Sequence, residues 1–102
     1  MLKRLNPKTV CPPFSKYSQI VEAAPGMRWV HIAGQVGVAP DGTLAASPEG
    51  QIEQAWKNVI ALIEAAGMTL QDVVKITTFL TGAQHLPALR QVRDRMLGGA
   101  EP

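Results

Sequence analysis

Apolar and polar positions alternate from Trp29 to Val38. Val30, Ile32, Val36 and Val38 fall in one row with Gly34, while Trp29, His31, Ala33 and Gln35 fall in the other. That is the pattern of an extended strand with one core side and one chemically varied side. A glycine inside such a run marks a bulge or a place where something approaches the backbone closely. Ser18 to Ala23 alternates over a shorter span, and Pro25-Gly26 is a turn signal that makes the two runs a hairpin. Asp41-Gly42 predicts another turn, whereas residues 1–16, with Pro7, Pro12 and Pro13, are expected to be irregular. Helical spacing begins after Ser47-Pro48, an N-cap followed by proline in the first turn. Ile52, Ala55, Trp56, Val59, Ile60 and Ile63 share one face, Glu53 and Lys57 sit four apart on the other, and Gly67 supplies the stop. This predicts a long amphipathic helix over 48–66.

Thr69 with Asp72 resembles a capping box around one helical turn. Val73 to Thr81 is β-branched and alternating, with Val74, Ile76, Thr78 and Leu80 opposite Lys75, Thr77, Phe79 and Thr81. A second helix follows, with Pro87 near its start. Leu86, Leu89, Val92, Arg93 and Met96 lie near one face, and Gly98-Gly99 ends it. The order strand, strand, helix, strand, helix implies an α+β fold, a mixed β-sheet with two helices packed on one face. In it, Val73 to Thr81 is the expected central strand, with both helices on its Val74/Ile76 face. The opposite face, carrying Trp29, Phe79 and several threonines, needs a cover from other subunits or further strands.

Composition narrows the class. With 102 residues, 46% hydrophobic and 18% charged, the chain reads as one ordinary globular domain. A net charge of +2 with scattered basic residues is not a nucleic-acid footprint. No apolar run reaches membrane-spanning length, and MLKRLNPKTV lacks the apolar stretch of a secretory signal, so a cytoplasmic protein is the default expectation. Cys11 is the only cysteine, which excludes an intrachain disulfide and a zinc site of several thiolates.

The segments "KYSQIVEA", "HIAGQVGVAPDG" and "LIEAAGMTLQDVVKITTFLT", in this order and spacing, resemble the RidA (YjgF/YER057c/UK114) family. The resemblance runs from residue 11 to residue 97. It implies a chorismate-mutase-like α+β fold, a homotrimer through the sheet face bearing Phe79 and Thr77, and ligand pockets between subunits. It also implies hydrolysis of reactive 2-imino and 2-enamino acids to 2-keto acids and ammonia, with no metal or organic cofactor. Imine hydrolysis needs the carboxylate held, the nitrogen or carbon protonated, and a water aimed at carbon. By resemblance Tyr17, Gly34 and Gln35 match the family's pocket tyrosine, glycine and glutamine. Ala33 stands where serine is usual, Lys16 where proline precedes the tyrosine, Arg90 where asparagine is frequent and Arg93 where tyrosine is frequent. The family's P-A-R arginine and its water-directing glutamate have no counterpart within residues 1–102, nor do its last strands.

The residues also have plainer readings. Tyr17 can simply pack its ring, His31 fills an interface, and Trp29 and Trp56 are core or interface aromatics. Cys11 reads as an inert buried thiol. Arg90, Arg93 and Arg95 read as a solvated helix face, with Arg90 the one candidate to reach a pocket. Three functions follow: an enamine/imine deaminase, a non-catalytic binder of small carboxylates, and an RNA-acting protein. The last lacks a basic stripe interleaved with aromatics and paired histidines for phosphodiester cleavage.

Overall fold

The computed structural model describes residues 1–102 and builds outward from two helices that pack on each other. The first, α1, runs Pro48–Ala65 and the second, α2, Leu86–Leu97. The α1 boundaries follow from local chemistry. Ser47 Oγ accepts from Gly50 N–H at 3.0 Å. At the other end Gly67, at φ 75°, donates its N–H to Glu64 O, and Met68 N–H reaches Ile63 O at 3.0 Å. These two bonds are a Schellman closure, which needs a residue free to adopt positive φ. The box at Thr69–Asp72 forms around a single 3-10 turn, Leu70–Asp72. A second such turn, Ala83–His85, leads into α2.

Trp56 of α1 meets Val92, Leu97 and Ala100 at the centre of the core, with Ile52, Leu70 and Met96 packed around them. Ile63 and Leu89 are also buried. Only seven of 102 residues are buried, and four of them, Trp56, Val92, Leu97 and Ala100, form this seam. The Cα radius of gyration, 14.8 Å, exceeds the roughly 13 Å of a compact chain of this length.

The sheet differs from expectation. Leu2–Leu5 is a strand, β1, although residues 1–16 read as irregular. It pairs antiparallel with β2, Ile20–Ala23, in the register Leu2 to Ala23 through Leu5 to Ile20. The prolines that argued against a strand begin only at Pro7, and Leu2-Lys3-Arg4-Leu5 is free to pair. The turn at Pro25-Gly26 does form, with Met27 N–H on Ala24 O and Gly26 at φ 80°. It does not launch the hairpin expected between residues 18–23 and 29–38: β2 pairs with β1 on one edge, and its other edge makes no ladder with 29–38.

Residues 28–35 and 74–81 make no backbone–backbone hydrogen bonds. The Trp29–Val38 run enters a ladder only at the Val38–Leu44 bridge, closed by the Asp41-Gly42 turn. Val73–Thr81 is therefore not a hydrogen-bonded central strand within the chain, and the Trp56 and Ile52 side chains of α1 pack against α2. Alternation specifies which side chains share a face, but a strand also needs a neighbour whose backbone groups it can pair. The α+β class holds, with the hydrogen-bonded sheet reduced to two antiparallel strands. No helix is long and apolar enough to cross a membrane.

Candidate functional site

Residues 36–38 lie along α1. Asn58, on the helix surface, donates through Nδ2 to Val36 O at 3.2 Å and Val38 O at 2.9 Å. Its Oδ1 accepts from Gln54 Nε2 at 2.9 Å. One turn earlier Gln51 Nε2 donates to Ala45 O at 3.1 Å. The small turn between these contacts is held by Asp41, whose carboxylate accepts Thr43 N–H at 2.9 Å. Hydrogen bonding from the Thr43 backbone and hydroxyl keeps the Asp41 carboxyl below the usual range.

A shallow cleft of about 340 Å³ opens beside this junction, lined by Gln35, Val38, Pro40, Asn58, Ala61 and Leu62. Gln35 turns its Nε2 to Ala33 O at 3.2 Å. The tight glycine is Gly37 rather than Gly34. A Cβ at Gly37 would collide with Gln51 Cα and lie 2.6 Å from Gln51 Cβ, whereas one at Gly34 would meet nothing within 4 Å. The close backbone approach expected at Gly34 is thus made, within the chain, by Gly37 on the first turns of α1. Gly37→Ala should cost about 1–3 kcal/mol, since helix backbone cannot give way as a flexible side chain can. Gly34→Ala should stay within about 0.5 kcal/mol. Urea midpoints of the two variants measure the contrast, and equal midpoints would contradict it.

The other sequence candidates are dispersed. Tyr17 lies outside the Gln35 cleft, half-buried, and its Oη accepts from Phe14 N–H at 3.3 Å. Ala33 and Gly34 are exposed. Arg90 is exposed on α2 and engages no hydrogen bond or ion pair. Of the five, only Gln35 lines the cleft. Arg93 and Arg95 are not a merely solvated face: Arg93 contacts Ser15 and Asp94, and Arg95 lies 3.6 Å from Glu53 of α1. Cys11 is exposed, not buried, because the proline-rich segment around it stays at the surface. Trp56 is core, while Trp29 is more than half exposed. No three His, Cys, Asp or Glu side chains converge on a metal-sized site.

Sequence reasoning passed over Asn58, Gly37 and Arg4. Arg4, from β1, donates to Glu101 O at 3.0 Å, Gln71 O at 2.6 Å and Val73 O at 3.2 Å, tying three segments together. Asn58 did carry a signal, being a poor helix former in the middle of a strongly helical stretch.

Two helices joined by one apolar seam, beside a small antiparallel sheet and two unpaired runs, define an α+β protein. The crystal structure of a protein of unknown function of the conserved Rid protein family, YyfB from Yersinia pestis, superposes with a TM-score of 0.77. It shares 30% identity, over 99% of this chain and 79% of that one. The profile of the family described as Endoribonuclease L-PSP matches residues 8–102. The chain belongs to that family, the RidA/YjgF family its motifs resemble. A RutC family protein of Aquifex aeolicus is 33% identical over 83 residues, 80% of this chain and 64% of that protein. A 2-iminobutanoate/2-iminopropanoate deaminase of Dermatophagoides farinae is 30% identical over 93 residues, 88% of this chain and 70% of that protein. The chain thus spans about two thirds of the length of these relatives.

Proposed function

We propose that the chain is a subunit of an enamine/imine deaminase acting on small 2-imino and 2-enamino acids in a pocket between subunits of a homotrimer. The observation that carries this reading is membership of a family with a deaminase-named relative, in a chain that keeps Tyr17, Gly34 and Gln35. Gly34 leaves its backbone bare, Gln35 faces a cleft, and Tyr17 has a phenolic hydrogen not given to any acceptor. In the reaction, water oxygen bonds to the imine carbon as the C=N pair moves to nitrogen, which takes a proton. The carbinolamine then expels ammonia as the carbonyl forms. Each stage is favoured by donors fixed at the ligand's carboxylate and nitrogen. Within residues 1–102 the Tyr17 phenol and the Gln35 amide are the groups offered for that role.

Trp29, Val30, Ile76 and Phe79 are exposed, Phe79 by 91%, on runs with unpaired backbone. Such a surface favours association, and the expected assembly is a trimer through the Phe79/Thr77 face. Light scattering at micromolar concentration should give three times 11.0 kDa. Phe79→Asp should shift the mass to that of one chain, and a stable wild-type monomer would remove the interface from the proposal.

The direct test couples an amino-acid oxidase, as imine source, to detection of ammonia. Faster ammonia release than in a protein-free control supports the deaminase. No acceleration, together with saturable binding of 2-oxobutanoate, selects the non-catalytic binder, which Ala33 in place of serine also favours. Absence of both would overturn the pocket itself.

A further inference from the structure

Tyr17 is the only tyrosine in the chain, and the residues on both sides of it are fastened to the far end of the molecule. Ser15 Oγ accepts from Arg93 Nη2 at 2.5 Å and lies 3.5 Å from Asp94 Oδ1. Arg93 Nε also donates to Asp94 Oδ1 at 3.3 Å, so one guanidinium bridges the loop and its own helix. Lys16 Nζ donates to Gly98 O at 2.6 Å and Asp94 O at 3.3 Å. Carbonyls at a helix C-terminus lack intrahelical donors, and an ammonium satisfies them with the favourable sign of the helix dipole. On the other side, Ser18 gives its N–H to Pro102 O at 2.8 Å and its Oγ hydrogen to Glu101 O at 2.6 Å.

The backbone between these anchors is a single tight turn. Tyr17 N–H donates to Ser15 O at 3.0 Å, closing a three-residue turn centred on Lys16. No non-glycine residue has positive φ, so this is the inverse γ form, with a central φ near −75°. Lys16 N–H is not spent on another backbone group. Nothing in the turn therefore requires lysine for its backbone; what lysine adds is the contact to α2.

We infer that Lys16 and Arg93 are positioning residues. They clamp the turn to the end of α2, so that the Tyr17 phenol, its oxygen held by Phe14 N–H, keeps its hydrogen for a ligand acceptor. The inference rests on the reading of Tyr17 as a pocket residue. It assigns α2 residues 93–98 a part in ligand affinity although none of them lines the Gln35 cleft. It also separates the two arginines: Arg93 acts through Tyr17, while Arg90 has no contact through which to act.

A sole tyrosine makes the test specific. With 3-fluorotyrosine incorporated, the chain gives one ¹⁹F resonance, which reports the Tyr17 environment without any assay of activity. The wild-type signal should lie away from that of free fluorotyrosine and move on addition of 2-oxobutanoate. Arg93→Met and Lys16→Met should each collapse it toward the free position and weaken 2-oxobutanoate binding about tenfold, with helical circular dichroism unchanged. Lys16→Arg should keep the signal in place and the affinity within about twofold, because a cation stays in reach of the Asp94 and Gly98 carbonyls. Resonances unchanged in both Met variants would overturn the clamp, as would a Lys16→Arg signal as collapsed as Lys16→Met. If Arg93→Met loses helicity, the Lys16 pair decides alone, since it alters only a half-buried side chain outside both helices. A wild-type resonance that responds to both Met substitutions but not to 2-oxobutanoate overturns Tyr17's part in a ligand pocket, while leaving the clamp as a structural fact.

Discussion

Trp56→Ala should leave little folded protein at 25 °C. Removing a buried tryptophan costs about 3–5 kcal/mol, and a chain of this length has a total stability of about 5–15 kcal/mol. The low end of that range applies here, because the core cluster holds only Trp56, Val92, Leu97 and Ala100 at its centre. Trp56 is 7% exposed and is the largest of them, joining α1 to α2 and to Ala100 beyond it. The side chains packed around it, Ile52, Leu70 and Met96, are only partly buried, so little packed material closes over the cavity. Urea titration followed at 222 nm should show most of the helical signal already lost at zero denaturant. Phe79→Ala, which deletes an aromatic 91% exposed, should leave the helices of the single chain intact. Trp56→Ala with a wild-type midpoint would mean that the two helices are held together elsewhere.

That asymmetry between two aromatics shows where sequence reading succeeds. Helical spacing placed Trp56 on the buried stripe of α1, and its ends were legible because caps are local. Ser47, Gly67 and the Thr69–Asp72 box each act within a few residues of themselves. The turns at Pro25-Gly26 and Asp41-Gly42 were legible for the same reason. Pairing is not local. The alternation in 29–38 and 73–81 is real, yet nothing in it names a partner, and β2 pairs with the first residues of the chain instead. Close approach is equally hidden. Gly34 and Gly37 look alike in sequence, and only the lie of the segment across Gln51 separates them. The clamp around Tyr17 joins residues nearly eighty apart, so neither Lys16 nor Arg93 declares a purpose by its neighbours.

Pure 1–102 polypeptide should hydrolyse imines at least tenfold to a hundredfold more slowly than the Dermatophagoides farinae deaminase it resembles. Among these residues no arginine follows α2, and Glu101 is the only acid beyond Asp94. A substrate carboxylate here lacks the bidentate guanidinium that the family resemblance implies, and no arginine lines the Gln35 cleft or bonds to Tyr17 to replace it. Arg93 is already engaged with Ser15 and Asp94, and Arg90 points no hydrogen bond toward Tyr17 or Gln35. Loss of one charge-assisted contact removes about 1.5–3 kcal/mol, or about tenfold to a hundredfold in rate when the contact acts in the transition state. Absence of a water-directing carboxylate lowers the rate further, though not additively, because both groups act on one bound species. Under the proposed function binding should suffer less, since the Tyr17 phenol and the Gln35 amide would still meet the ligand. The expected pattern is saturable 2-oxobutanoate binding with slow ammonia release in the oxidase-coupled assay. Ammonia release at the pace of the Dermatophagoides farinae protein would refute it, and Arg90→Ala would then be the first variant to make.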